Sequence, residues 1–195
     1  MKLLKRIGIG LAIVLALLAL VIATRPAKFH IERSAVVKAS PAAVHAVVND
    51  FHAWKGWSPW DKLDPAMTRT FSGPSSGKDA AYAWVGNKDV GEGKMTITDS
   101  TPEKITIRLE FIKPFAATNT TTFAFAGSGG ETKVTWAMDG ENDFMGKAFS
   151  LFMDMDKMVG PDFEKGLAAM KAMAESAPAA PAAAAPAPAA PAATP

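Results

Sequence analysis

The chain has 195 residues, 21 of them basic and 19 acidic, and no cysteine. Disulfides, thiolate nucleophiles and cysteine-bound metals are therefore excluded together. The net charge of +2 is spread over mixed signs, with no basic stripe interleaved with aromatics that would suit a nucleic acid.

The N-terminal end departs from globular composition. Ile7 to Ala23 is an uncharged apolar run preceded by Lys2, Lys5 and Arg6. As a helix it would be about 26 Å long, just under the ~30 Å hydrocarbon core, and Leu3, Leu4 and snorkelling basic side chains make up the difference. Residues 1–25 are read as a transmembrane anchor. A cleaved signal peptide is the alternative, with Val21 and Ala23 as its small-residue site, but the run exceeds the usual apolar stretch of about 7–15 residues, and Arg25-Pro26 follows the cut. The leading basic residues, partly offset by Arg25 and Lys28, favour a cytoplasmic N-terminus. That orientation puts the remainder outside the inner membrane, facing the periplasm or the cell exterior.

Phe29 to Lys38 reads as a first strand with Ile31, Ala35 and Val37 on one face. Ser40-Pro41 starts a helix, serine accepting the first free N–H groups and proline losing nothing at the first turn. Val44, Val47, Val48 and Phe51 give that helix its apolar face, and Trp54 to Trp60 then holds three of the five tryptophans. Strands follow in quick succession. Arg69 to Phe71 begins one, and Ala80 to Val85 puts Tyr82 and Trp84 on one face. Met95 and Ile97 carry the next, after Gly91 and Gly93. Ile105, Ile107, Leu109 and Phe111 alternate with Thr106, Arg108 and Glu110 in a half-buried strand stopped by Pro114. Thr121, Phe123 and Phe125 repeat the alternation before the Gly127–Gly130 turn, and Val134, Trp136 and Met138 complete it. Short strands joined by glycine-rich turns predict an antiparallel meander, so the class is α+β.

The last helix is expected to start at Gly160-Pro161, with Phe163, Leu167, Met170 and Ala174 as its buried stripe and Glu164, Lys165, Lys171 and Glu175 opposite. A sheet with one greasy face needs a cover, and this helix supplies it. Residues 29–175 thus form the domain. Residues 177–195 contain only Ala, Pro and one Thr, which predicts a disordered, solvated tail.

Taken together, Val47 to Phe51 with Trp54, Trp57-Ser58-Pro59-Trp60, Tyr82, Trp84 and Gly86 with Gly91-Glu92-Gly93, Phe111 with Lys113-Pro114-Phe115, Thr132 to Gly140 and Met153 to Lys171 resemble the SRPBCC, or polyketide cyclase/dehydrase, branch of the START-like superfamily. The resemblance spans roughly residues 29 to 175. It implies a helix-grip fold, a curved antiparallel sheet wrapped around a long C-terminal helix, here preceded by the transmembrane helix. It does not fix an activity, because fold is not function.

Catalytic and metal-binding motifs are weak. His30, His45 and His52 lack zinc-ligand spacing, and no metal or other cofactor is expected. Gly73-Pro74-Ser75-Ser76-Gly77 matches G-x-S-x-G, but no histidine follows Ser75, so it reads as a surface turn. Gly91-Glu92-Gly93 lies between strands, where glycines permit a bulge or a close backbone approach. Asp154 and Asp156 are two residues apart and diverge on a helix, so they cannot act as one acid/base couple. Glu92 or Asp139 would titrate anomalously only if buried in a pocket.

The apolar inventory is the more informative signal. Trp57, Tyr82, Trp84, Leu109, Phe111, Trp136, Met138, Met155 and Met170 are the candidate cavity-lining residues, aromatics giving rigid walls and methionines adapting to irregular guests. The leading reading is a membrane-tethered domain that binds a hydrophobic or amphipathic small molecule or lipid without transforming it. A cyclase or dehydratase working through pocket carboxylates is one alternative, and a protein-interaction module of the cell envelope is another. Oligomeric state stays open.

Overall fold

The alternating stretches form one sheet, and its strand order explains why the chain needs helices where it has them. In the computed structural model, which describes residues 2–128 and 130–176, seven antiparallel strands lie in the order β1-β7-β6-β5-β4-β3-β2. β1 is Lys28–Val37, β2 Thr68–Ser72, β3 Ala81–Val85, β4 Glu92–Thr101, β5 Lys104–Lys113, β6 Ala117–Ser128 and β7 Glu131–Glu141. Consecutive strands from β2 onward pair as a meander, and β7 returns to β1 with Lys28 opposite Glu141. β1 and β2 are therefore opposite edges, and the connection between them must cross the concave face.

That crossing is made by α2 (Pro41–Asn49), α3 (Trp54–Trp57) and flanking single turns. The Ser40 side chain caps α2 by accepting from Ala43 N, with Pro41 in the first turn. Val44 and Val48 are fully buried beneath α2.

The long C-terminal helix α5 lies in the grip of the sheet, packed on β1, α2 and α3. Phe163, Leu167, Met170 and Ala174 are all buried, the stripe anticipated from their spacing. The start of the helix differs from expectation, because α5 runs Met155–Ser176 and contains Pro161. Two features support the extra turns. The Asp154 carboxylate accepts from Asp156 N at 3.1 Å and Lys157 N at 3.4 Å, satisfying free N–H groups of the first turn. Arg33, on the inner face of β1, then straddles the proline, its Nη1 and Nη2 reaching Asp156 at 2.8 and 2.9 Å and its Nε reaching Glu164 at 2.8 Å. Gly160 is buried against the same guanidinium, where a Cβ would collide with Arg33 Nη2. Asp154 and Asp156 thus have structural partners.

A short helix, α4 (Phe144–Phe149), precedes α5; its Asp143 cap accepts from Gly146 N at 2.7 Å. It carries no apolar periodicity and was not anticipated. At the N-terminus, α1 (Lys2–Thr24) is a 23-residue helix long and apolar enough to cross a membrane, and Ile22 is its one buried residue among those described. Its last turn packs on α4, with Arg25 Nη2 donating to Ser150 O at 3.2 Å and Lys147 Nζ to Ala23 O at 3.4 Å. The Ala/Pro-rich tail from residue 177 onward and Gly129 of the β6–β7 turn lie outside the described residues.

The inner face of the sheet is packed unevenly. Along β5, Ile105 and Ile107 are 0% exposed, whereas Leu109 and Phe111, two and four residues further on the same face, are only partly buried. α2 and the C-terminal half of α5 fill one end of the grip. Toward the other end, space remains.

Candidate functional site

That space is a cavity of about 210 Å³. Its wall is built by cross-strand register. Arg69 faces Trp84, Trp84 faces Gly93 and Gly93 faces Phe111 in one row, while Tyr82, Met95 and Leu109 are partners in the next. A bulge at Glu92/Gly93 bends β4 at this point. Gly93 is required there, since a Cβ would run into the Trp84 ring and stand 2.6 Å from Glu110 O. Trp84 is held in place by Nε1 donating to Val90 O at 3.1 Å and by the edge of Phe111, ring centres 6.1 Å apart. Across the cavity, Val159 and Phe163 of α5 close the apolar lining.

Of the sequence candidates, Tyr82, Trp84, Leu109, Phe111, Trp136 and Met138 border this cavity. Trp57, Met155 and Met170 do not. Trp57 is 0% exposed and wedged edge-on against Phe123 and Trp136, in the filled part of the core. Met170 is equally buried, two turns along α5 from the cavity residue Phe163. Met155 lies on the first turn of a helix that starts earlier than expected, and is 39% exposed.

The polar part of the wall was not apparent in the sequence. Asp61, in the single turn after α3, is 7% exposed and borders the cavity. Arg69 Nε donates to Asp61 Oδ1 at 2.7 Å, Nη2 lies 2.7 Å from the same oxygen, and Nη1 donates to Met67 O at 3.0 Å. Beside this ion pair lies Tyr82, the chain's single tyrosine. Burial, and then the Asp61 charge, push its phenol up to about 12 against the opposing pull of Arg69. The Tyr82 hydroxyl and the Trp136 indole nitrogen are both buried and have no hydrogen-bond partner in the protein. Groups of this kind usually have one. Asp61 and Arg69 sit in an aperiodic loop and at a strand edge, and their only signal was an acid next to a tryptophan with an arginine eight residues on.

The remaining titratable candidates lie elsewhere. Glu92 pairs with Lys113 at 2.7 Å, and Asp139 with His30 at 2.7 Å, on the outer surface. His52 stacks on Phe71, and His45 meets Phe125 edge-on. Among the described residues, no group of three His, Asp or Glu is placed to hold a metal.

A family model described as polyketide cyclase/dehydrase and lipid transport matches residues 28–175. The chain belongs to this family. No curated protein matches it. Several solved structures share the fold at low identity. The ZhuI aromatase/cyclase from Streptomyces sp. R1128 is 14% identical with a TM-score of 0.57, over 76% of this chain and 94% of that one. Protein CV1439 from Chromobacterium violaceum is also 14% identical, with a TM-score of 0.56 over 76% and 98% of the two chains. The Aha1 dimer from Colwellia psychrerythraea gives 14% and 0.54, over 76% and 97%. In this member of the polyketide cyclase/dehydrase and lipid-transport family, the grip of the sheet around α5 leaves the cavity, and the lining side chains give it its character.

Proposed function

We propose that this domain binds a hydrophobic or amphipathic small molecule in the cavity between the sheet and α5, without transforming it. The observation that carries this reading is a cavity with a mostly apolar lining, including Trp84, Leu109, Phe111, Met138, Val159 and Phe163, and with Asp61 at its edge. An apolar guest, or the apolar part of an amphipathic one, fits that lining. The size agrees with a small guest. Drug-sized pockets run to about 300–1,000 Å³ and a ~150 Å³ apolar cavity accepts benzene, so 210 Å³ suits a ring with a short tail or one end of a longer chain. Binding is favoured over proton transfer because the Asp61 carboxylate is committed to Arg69. In this reading α1 anchors the domain, and Lys2, Lys5 and Arg6 keep the N-terminus in the cytoplasm and the domain outside the inner membrane.

The test is titration of the full chain in mild detergent with an apolar fluorescent probe, alongside mass spectrometry of whatever co-purifies. Trp84→Ala should weaken the probe strongly. Phe125→Ala, in the filled end of the core, is the control for general damage. Equal affinity in wild type and Trp84→Ala would overturn the reading.

A further inference from the structure

The surface at the foot of α1 is unusually apolar. On α4 and the loop after it, Phe144 is 53% exposed, Met145 59%, Phe149 49% and Phe152 86%. Phe115, from the β5–β6 turn, is 72% exposed, and its ring centre lies 6.2 Å from that of Phe149, which joins the two segments into one patch. Water-facing phenylalanines on this scale mark an interaction surface.

From this we infer that the α4 patch, with Phe115, docks on the bilayer that holds α1, sinking its rings into the boundary between headgroups and acyl chains. The proposal rests on the anchor reading of α1. Its geometry follows from continuity. The last turn of α1 packs on α4, and the two segments are tied by Arg25 to Ser150 and Lys147 to Ala23. Packed helices lie about 8–10 Å apart, so a bilayer that encloses α1 up to Thr24 meets α4 at its own surface. Interfacial aromatic side chains settle about 5–10 Å into that boundary. Lys147 on α4 and Arg25 supply positive charge that anionic headgroups favour, while nearby Lys28 and Lys113 are paired with Glu141 and Glu92.

The absence of cysteine makes single-site labelling clean. Full-length protein is placed in phosphatidylcholine/phosphatidylglycerol nanodiscs with one polarity-sensitive label at Leu15→Cys, Phe152→Cys or Lys133→Cys. Lys133 is exposed, near the other end of β7 from Glu141 and roughly 27 Å along the strand. The expected result is quenching at Phe152 by shallow lipid-borne nitroxide with protection from aqueous iodide, quenching at Leu15 by deep nitroxide, and the reverse of the Phe152 pattern at Lys133. Because an apolar label can itself seek lipid, a Met145→Cys label is read with and without Phe149→Asp and Phe152→Asp. Those two changes should restore iodide access at Met145. Leu15 quenched while Phe152 behaves like Lys133 overturns the docking and leaves the anchor intact. Phe152 shielded from both quenchers overturns it in favour of a protein cover. Leu15 untouched by deep nitroxide removes the anchor and the proposal with it.

Discussion

Replacing Asp61 with alanine would leave the Arg69 guanidinium in a site where its side chain is 15% exposed, without the carboxylate now 2.7 Å away. At an effective dielectric of ~20 the gross attraction over that distance is about 6 kcal/mol. Much of it offsets the desolvation of both charges, so the pair itself contributes little net stability, yet breaking it exposes the full burial cost of the survivor. The expected loss for Asp61→Ala is about 3–5 kcal/mol, or roughly 6–20 °C in Tm for a domain of this size. The double variant Asp61→Leu with Arg69→Met should recover most of that loss, because neither charge is then stranded. Urea unfolding of the full chain in mild detergent, followed by tryptophan fluorescence, reads both values. If Asp61→Ala costs less than about 1 kcal/mol, or the double variant is as unstable as the single one, the pair is not the buried, mutually dependent unit described above.

Tyr82 is the chain's single tyrosine, so its phenolate absorbance should titrate near 12 in the native protein and near its ordinary 10 in urea. Because the folded pKa is raised, the linked stability is complete below pH 10 and is lost as pH rises through 12; a native midpoint at 10 would contradict the buried environment. Trp136→Ala should cost about 3–5 kcal/mol by denaturation, since the ring is 2% exposed and stacked 4.1 Å from Phe163 and 4.9 Å from Phe123. A loss below ~2 kcal/mol would mean that the cavity dominates its surroundings. Gly93→Ala should displace Trp84, destabilise the fold by about 1–3 kcal/mol and lower probe affinity; an unchanged Trp84 environment would refute the close approach. Protease added to spheroplasts should digest the domain, and its survival there would reverse the proposed orientation.

The sheet was legible because period-two alternation survives wherever one face is buried. Ile105, Ile107, Val134 and Phe123 are all 0% exposed and were all placed by alternation alone. The stripe of α5 was legible for the same reason at helical period. Its start was not, because Pro161 reads locally as a beginning, and what carries the helix past it is Arg33, more than a hundred residues earlier. The apolar wall of the cavity was partly legible, since Tyr82, Trp84, Leu109 and Phe111 follow from face assignment. Periodicity, however, cannot tell a filled position from an open one, which is why Trp57 and Met170 were grouped with them. Asp61 and Arg69 meet through a loop whose path no local pattern encodes.

The pairing of β1 with β7 also sets an order of events during synthesis. Lys28 meets Glu141, 113 residues later, and Arg33 reaches Glu164 later still. At about 5–20 residues per second, β1 exists for roughly 6–23 s before its partner has been made. Throughout that interval it is an unpaired strand with a free hydrogen-bonding edge, open to the wrong neighbour. The meander from β2 to β7 can zip up strand by strand as it emerges, but the grip closes only when the last third of the chain arrives. The first strand to leave the ribosome is thus among the last to find its place, and crowding of nascent copies should penalise this fold more than its native stability would suggest.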